Sequence, residues 1–292
     1  MPHTFSTVAV LGAGTMGRGI AQVAALGGFT TRLYDLEEPV LADARAAIER
    51  HLRKGVELGK VDAAAAEAAL GRLSSHTALA TAVARADVVI EAVPESLELK
   101  VEIFHAVALH APERALFASN TSALSITELA GSTGRPQRFA GMHFFNPVHL
   151  MKLVELVRGL ETSDETLAAL RHVAERMGKE TVVVADVPGF ATSRINALIG
   201  NEAFRMLEQG VATAEDIDKA VKLGLNHPMG PFEMGDLVGL DVRLTILEHL
   251  HSTLGETFRP TNLMRRYVAA GRLGRKSGRG IYTYDEHGKR TG

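Results

Sequence analysis

The chain of 292 residues contains no cysteine and no tryptophan, and aromatic residues make up only 5% of it. Without cysteine it can form no disulfide bond, no thiolate metal site and no thiol nucleophile. No apolar run is long enough to span a bilayer, and no basic tract runs along a chain whose formal net charge is −2. These absences argue against a membrane-spanning protein and against nucleic acid as the main partner.

Residues 1–11 also lack a charged segment followed by a long apolar stretch. A signal peptide needs both features, so the sequence predicts a cytoplasmic protein. The neighbouring histidines His105 and His110 have no carboxylate in the spacing of a zinc motif, and the same holds for His249 and His251. We therefore expect no metal site.

The length and an apolar content of 46% suit a globular protein with two domains. Up to Val187, strand-like and helix-like segments alternate, which indicates an α/β domain with a largely parallel sheet and antiparallel additions among the last strands. After Pro188 the spacing is helical almost throughout. We predict a Rossmann-type doubly wound sheet over residues 1–187, followed by an all-α domain over residues 188–292.

The hydrophobic spacing assigns individual elements in both domains. Strands are predicted at Val8–Leu11, Thr30–Tyr34, Asp87–Val93, Leu116–Ser119, Phe139–Phe145, Leu153–Val157 and Glu180–Ala185. Helices are predicted at Gly19–Leu26, Val40–Leu58, Ala63–Gly71, Leu97–His110, Ser163–Met177, Phe190–Gln209, Thr213–Leu223, Pro231–Leu254 and Asn262–Ala270. The segment Gly71–Ser75 is predicted to be a polar loop.

A glycine-rich turn over residues 12–17 follows the apolar run Val8–Leu11, and Asp35 comes eighteen residues after the turn. The order of strand, turn, helix and acidic residue is the dinucleotide-binding fingerprint. The first glycine permits a sharp turn, the second leaves room for a pyrophosphate, and the third lets helix and strand pack closely. The helix N-terminus offers N–H groups to the phosphates. The predicted contacts are Gly12, Gly14, Thr15, Met16 and Gly17.

Asp35 favours NAD over NADP as the cofactor. A carboxylate at the end of the second strand can accept hydrogen bonds from the ribose hydroxyls and would repel a 2′-phosphate. Leu36 and Glu37 follow it, and the nearby Arg32 lies within the strand. The alternative is that Asp35 only caps the next helix.

Polar residues cluster after three predicted strands, in the segments Ser119–Ser122, Gly141–Pro147 and Met151–Glu155. Oxidation of a secondary alcohol by NAD needs a base for the hydroxyl proton and a group that holds the oxygen. An imidazole exchanges protons near neutral pH, so His143 suits the base. Glu155 could fix its tautomer, although a core histidine and a solvated strand-end carboxylate remain the alternatives for these two residues.

Seven stretches from end to end of the chain resemble the L-3-hydroxyacyl-CoA dehydrogenase family, especially its short-chain bacterial branch. The resemblance implies NAD-dependent oxidation of an (S)-3-hydroxyacyl-CoA, expected to be 3-hydroxybutyryl-CoA, to the 3-oxoacyl-CoA and the reverse. The matching stretches are GAGTMGRGIAQ, EAVPESLELK, SNTSALSI, RFAGMHFFNPVHLMKLVE, DVPGF, GLNHPMGPFEMGDLVGLD and GRLGRKSGRGIY.

The resemblance also implies roles for individual residues. It makes His143 the base, Glu155 its orienting carboxylate and Ser122 the residue that binds the substrate hydroxyl. Cofactor contacts are implied for Glu95, Lys100, Asn120, Asn146 and Lys276. Coenzyme A contacts are expected in the helices after the second strand, with a solvated helix face as the alternative, at His51, Arg53, Lys54 and Lys60.

One position departs from the family pattern. Many members carry an active-site asparagine three residues after the phenylalanine of PGF, where this chain has Ser193. A serine can donate a hydrogen bond but lacks the paired donor and acceptor of an amide. We expect Ser193 to belong to the catalytic residues, and Asn196 lies one helical turn further on.

The sequence also leaves two other functions open and predicts a homodimer. The same chemistry could act on a related 3-hydroxy acid or a sugar acid of the gulonate type, and a non-catalytic NAD-binding subunit is the third possibility. No tyrosine is followed by lysine four residues later, which argues against the short-chain dehydrogenase mechanism. Helices rich in Leu, Met and Phe in the second domain predict a homodimer through that domain.

Overall fold

A computed structural model of the protein describes residues 5–292. The chain divides into two compact units, the first ending at Val187 and the second spanning Pro188–Gly292. The division falls at the proline where the spacing of apolar residues changes from mixed to helical.

The first unit is built around one eight-stranded sheet with the order β3-β2-β1-β4-β5-β6-β7-β8. Neighbouring strands are parallel except β6 and β7, which form the antiparallel pair expected among the last strands. The strands are β1 (Thr7–Leu11), β2 (Thr30–Tyr34), β3 (Leu73–His76), β4 (Val88–Glu91), β5 (Leu116–Ser119), β6 (Phe139–Phe144), β7 (Leu153–Arg158) and β8 (Glu180–Ala185).

Helices connect most of these strands and cover the sheet. The central strands are buried on both faces, as their continuous apolar runs require. Side chains such as Ile20, Leu33 and Ile90 are fully enclosed between sheet and helices. The helices of this unit are α1 (Thr15–Leu26), α2 (Glu38–Glu57), α3 (Ala63–Arg72), α4 (Leu79–Val83), α5 (Leu97–His110), α6 (Ile126–Gly131) and α7 (Asp164–Arg176).

The strand β3 corrects the prediction of a polar loop at Gly71–Ser75. Its sequence Leu-Ser-Ser-His carries little apolar signal, because it lies at the edge of the sheet, where β2 is its only partner among residues 5–292, and it buries mainly Leu73. The helix α1 also begins earlier than predicted, at Thr15 rather than Gly19, since Gly14 is already its N-terminal cap. The short helices α4 and α6 were not predicted.

The second unit is helical, with a core around Phe204, Phe232, Leu247 and Met264. The single helix predicted at Pro231–Leu254 is wrong. Gly239 adopts a φ of 106°, which interrupts the helix and separates its two parts. The helices are α8 (Thr192–Glu208), α9 (Ala214–Gly224), α10 (Pro231–Val238), α11 (Leu240–Leu254) and α12 (Asn262–Ala269).

Two buried aspartates, Asp218 and Asp236, form hydrogen bonds that hold the C-terminal segment, residues 281–292, against this helical core. The carboxylate of Asp236 accepts hydrogen bonds from the backbone N–H groups of Ile281 and Tyr282, both at 2.9 Å, and from the Tyr284 hydroxyl at 3.0 Å. The hydroxyl of Tyr282 donates to Asp218 at 2.8 Å. Burial raises the pKa of Tyr282, and the adjacent Asp218 raises it further, so this hydroxyl stays protonated and remains a donor.

Candidate active site

The glycine-rich turn joins β1 to α1 at the carboxyl edge of the sheet. A Cβ built on Gly12, whose φ is 93°, would lie 2.7 Å from the carbonyl oxygen of Ala92, and one on Gly17 would lie 1.7 Å from that of Gly12. Both positions therefore require glycine for close packing. A Cβ on Gly14 would meet no atom within 4 Å, so this position is open at the N-terminus of α1.

A cleft of about 730 Å³ lies beside this turn. Its walls are largely apolar, and Asp35 stands at the end of β2 among them. Its Oδ2 accepts a hydrogen bond from the backbone N–H of Ala13 at 2.8 Å. The lining residues are Gly12, Gly14, Thr15, Met16, Tyr34, Asp35, Leu36, Val40, Leu79, Ala92, Val93, Pro94, Leu99, Glu102, Ile103 and Ala106.

These residues fit a dinucleotide without a 2′-phosphate. The open space over Gly14 lies where the helix N-terminus attracts a pyrophosphate, and the Asp35 carboxylate stands where a ribose would be held. Within residues 5–292, the cleft wall includes no lysine or arginine. The guanidinium of Arg32 donates instead to the carbonyl of Thr81 at 2.7 Å. The N-terminal cap position of α2 is Glu37, whose side chain makes no capping hydrogen bond, and the other oxygen of Asp35 accepts the backbone N–H of Glu37 at 3.4 Å.

His143 and Glu155 meet across the antiparallel strands β6 and β7. The register places the two residues directly opposite each other, and His143 Nδ1 lies 2.8 Å from Glu155 Oε2. Glu155 is fully buried and His143 is 7% exposed. Glu155 is therefore not a solvated strand-end charge. Its carboxylate selects the tautomer in which Nδ1 carries the proton and Nε2 carries the lone pair.

The turn at the end of β5, residues Ser119–Ser122, is bonded to the strand that carries His143. The side-chain oxygen of Asn120 accepts a hydrogen bond from the backbone N–H of Phe144 at 2.9 Å, which ties the turn to the residue beside His143. The backbone N–H of Ser122 donates to Glu95 at 3.1 Å. The structure thus brings Asn120, Ser122 and Glu95 together at the carboxyl edge of the sheet.

Lys100 is placed differently from the other predicted cofactor contacts. Its side chain is 1% exposed, and its Nζ donates to Glu91 at 2.6 Å. A second ion pair joins it to Glu95 at 3.2 Å. Lys100 therefore lies inside the protein, behind the Ser119–Ser122 turn. Asn146, in contrast, is exposed on the surface just after β6.

The predicted coenzyme A residues Arg53, Lys54 and Lys60 are exposed. Lys54 forms a surface ion pair with Glu57 at 3.0 Å, as a solvated helix face would. His51 stacks on His149 with ring centroids 4.6 Å apart. Burial lowers the pKa of both imidazoles, which favours their neutral forms.

Ser193 and Lys276 belong to the second unit. Ser193 is half-buried in the first turn of α8, and Lys276 Nζ donates to Asp241 at 2.6 Å. Asn196 is held by Arg243, whose guanidinium donates to the Asn196 backbone oxygen at 2.9 Å and side-chain oxygen at 3.2 Å. Burial lowers the pKa of Arg243 to about 10, so it remains charged at neutral pH.

Sequence reasoning missed the buried Glu91 behind the site, whose Oε2 accepts the hydroxyl hydrogen of Ser119 at 2.6 Å. Glu91 is the last residue of a buried apolar strand, the same signal that singled out Asp35. Among residues 5–292, no group of three or more His, Asp or Glu side chains is arranged to hold a metal ion. None of the described helices combines the length and apolar character needed to cross a membrane.

Comparison with known proteins identifies the family. The 3-hydroxyacyl-CoA dehydrogenase NAD binding domain matches residues 7–187, and the C-terminal domain of the same family matches residues 189–284. A probable 3-hydroxybutyryl-CoA dehydrogenase of Bacillus subtilis is 46% identical over 280 residues, which cover 96% of this chain and 97% of the relative. The mitochondrial hydroxyacyl-coenzyme A dehydrogenase of Sus scrofa is 44% identical over 284 residues, which cover 95% of this chain and 90% of the relative.

Solved structures agree with the sequence relatives. The crystal structure of (S)-3-hydroxybutyryl-CoA dehydrogenase from Ralstonia eutropha superposes with a TM-score of 0.93 at 43% identity, covering 97% of this chain and 100% of that one. Both domain matches and these relatives extend over nearly the whole chain. The chain belongs to the 3-hydroxyacyl-CoA dehydrogenase family, and its first unit is the NAD-binding domain of that family.

Proposed function

We propose that the protein oxidises (S)-3-hydroxybutyryl-CoA to acetoacetyl-CoA with NAD and catalyses the reverse reduction. The observation that carries this proposal is the 2.8 Å contact between His143 and Glu155 in the same unit as the glycine-rich cleft. An imidazole braced by a buried carboxylate suits a base, and the cleft suits the dinucleotide.

In this mechanism the Nε2 lone pair of His143 takes the proton of the C3 hydroxyl. NAD, when bound, would supply the acceptor for the hydride that leaves C3 as the C3–O bond becomes a carbonyl, and Gly12, Gly14 and Asp35 would hold it in the cleft. The imidazolium that forms keeps its Nδ1–H donated to Glu155, whose negative charge stabilises it. In the reverse direction His143 returns the proton to the oxygen.

Ser122 is proposed to donate a hydrogen bond to the substrate oxygen. Its backbone is fixed by Glu95, and its turn is fixed by the bond between Asn120 and Phe144. A donor held in this way stabilises the oxygen as negative charge develops on it during reduction or oxidation. Cofactor contacts by Glu95, Asn146 and Lys276, and a catalytic role of Ser193, remain predictions.

An acyl-CoA substrate agrees with the family, while the preference for a four-carbon acyl chain is part of the proposal. The test is NADH consumption by the purified protein with acetoacetyl-CoA, longer 3-oxoacyl-CoA thioesters and free acetoacetate, together with NAD reduction by gulonate. We expect saturation with acetoacetyl-CoA and none with free acetoacetate or gulonate. Activity with gulonate alone would favour a sugar-acid dehydrogenase, and no activity would favour a non-catalytic subunit.

We further propose a homodimer formed through the second unit. Four large apolar side chains of this unit are more than half exposed: Leu223 is 76% exposed, Leu225 67%, Ile195 59% and Val211 59%. Large apolar side chains left exposed on one chain can be covered by a partner subunit. Sedimentation at micromolar concentration is expected to show a dimer, and a strict monomer would contradict this. A cytoplasmic location also remains a prediction.

A further inference from the structure

A buried pair of opposite charges lies behind the Ser119–Ser122 turn, and the mechanism above makes no use of it. Glu91, the last residue of β4, is fully buried, and Lys100 on α5 is 1% exposed. Their charged atoms are 2.6 Å apart. A buried ion pair is often no more stable than apolar residues of similar volume, so stability alone does not account for it.

The carboxylate of Glu91 holds the beginning of the turn. Its Oε2 accepts the hydroxyl hydrogen of Ser119 at 2.6 Å, and its Oε1 accepts the backbone N–H of Val93 at 2.7 Å. The oxygen of Ser119 in turn accepts the backbone N–H of Thr121 at 3.2 Å. One route of hydrogen bonds therefore runs from Lys100 through Glu91 and Ser119 into the turn.

A second route runs through Glu95. Lys100 Nζ lies 3.2 Å from Glu95 Oε2 and donates to the carbonyl of Val93 at 3.2 Å. The other oxygen of Glu95 accepts hydrogen bonds from the Thr121 hydroxyl and from the backbone N–H of Ser122. Both routes begin at one buried ammonium group and end on the turn that carries Ser122.

We propose that Lys100 and Glu91 are positioning residues for the Ser119–Ser122 turn. They act through Ser119 and Glu95, and they fix the place from which Ser122 reaches the substrate oxygen. This inference rests on the function proposed above. A displacement of about 1 Å in a group that holds the substrate can lower the rate about 100-fold. Buried residues that keep the turn in place can therefore affect kcat.

The test removes both buried charges together. The single variant Lys100→Met leaves Glu91 buried without its cation and is expected to lower the melting temperature sharply. The double variant Glu91→Gln with Lys100→Met leaves neither charge and is expected to recover most of that loss. We expect the kcat of the double variant with acetoacetyl-CoA to stay at least about 10-fold below that of the wild type even though its stability recovers. If the pair served only stability, kcat would recover as well.

Ser119→Ala provides a second variant that leaves the ion pair intact and breaks only one route to the turn. It is expected to lower kcat about 10-fold while the Kd for NADH, measured by fluorescence, stays within about 2-fold. Lys289→Met, at an exposed lysine of the C-terminal segment, serves as the control and is expected to leave kcat, KM and the melting temperature unchanged.

The outcomes separate the two proposals. If the wild type is active and the folded double variant has wild-type kcat and KM, the positioning role alone is overturned. If the double variant does not fold, wild-type kcat and KM in Ser119→Ala would overturn that role instead. A wild type that does not consume NADH with acetoacetyl-CoA would overturn the proposed function and this inference with it.

Discussion

Glu155 determines which proton His143 can take. Because the carboxylate accepts from Nδ1, the lone pair of the neutral ring lies on Nε2, and protonation there creates a cation beside a buried negative charge. The residue types of this pair could be predicted from the sequence and from the family resemblance. Their contact was implied only by the resemblance, because it depends on the antiparallel register of β6 and β7, which the spacing of the two residues along the chain does not give.

A substitution at Asp35 tests the choice between NAD and NADP. Asp35→Asn keeps the size of the side chain and removes its charge, so it weakens the bonds to the ribose hydroxyls and relieves repulsion of a 2′-phosphate. We expect the ratio of the Kd values for NADPH and NADH to fall at least about 10-fold, equivalent to about 1.4 kcal/mol. Fluorescence titration with both nucleotides measures this, and an unchanged ratio would remove Asp35 from cofactor selection.

The placement of Lys100 could not be predicted from its residue type. The resemblance implies a contact with the cofactor, yet the side chain is enclosed between Glu91 and Glu95. A buried ammonium group is costly unless it is paired, and here two carboxylates pair with it, from the end of β4 and from the following loop. The sequence contains all three residues within ten positions but does not indicate that the lysine turns inward.

At the scale of elements, the strand–turn–helix unit β1–α1 builds the cofactor cleft, and its glycines have different tasks. Gly17 packs against the carbonyl of Gly12, whereas Gly14 faces open space. The order of the elements and the acidic residue after β2 could be predicted from the sequence. The edge strand β3 and the break at Gly239 could not, because a polar edge strand and a single glycine within a helical pattern carry weak signals.

Two variants separate the packing role of Gly17 from the cofactor-binding role of Gly14. Gly17→Ala places a methyl group where only 1.7 Å is available, and we expect a loss of at least about 1–3 kcal/mol in the free energy of unfolding. Gly14→Ala meets no protein atom and is expected to fold normally while its affinity for NADH falls. Thermal melts and NADH titrations of both variants check this. Equal stability of the two would contradict the assigned packing role.

At the scale of the whole molecule, the first unit gathers the cleft, the His143–Glu155 pair and the Ser119–Ser122 turn along the carboxyl edge of one sheet. On the opposite edge, Asp87 accepts the backbone N–H groups of Ser6 and Thr7 at 2.9 and 3.0 Å. Burial would raise the pKa of Asp87, but these bonds and those from the Ser6 hydroxyl and Arg114 outweigh it, and the pKa is lowered.

Asp87 therefore makes stability depend on pH in a defined direction. A carboxylate with a lowered pKa in the folded state stabilises the protein above the unfolded-state pKa of about 3.9, and this contribution is lost as the pH falls through the folded-state value. We expect Asp87→Asn to be less stable than the wild type at pH 7 by about 1 kcal/mol, with the difference disappearing in acid. Denaturant unfolding across pH measures this, and a difference that grows in acid would contradict it.

The turnover of His143→Gln with acetoacetyl-CoA and NADH tests most directly whether His143 is the base. Glutamine cannot take or return the proton, whereas the cleft beside the glycine-rich turn does not include His143. We expect an unchanged Kd for NADH and a kcat lowered by about 100- to 10,000-fold. A variant that keeps wild-type turnover would contradict the assignment of His143 as the base.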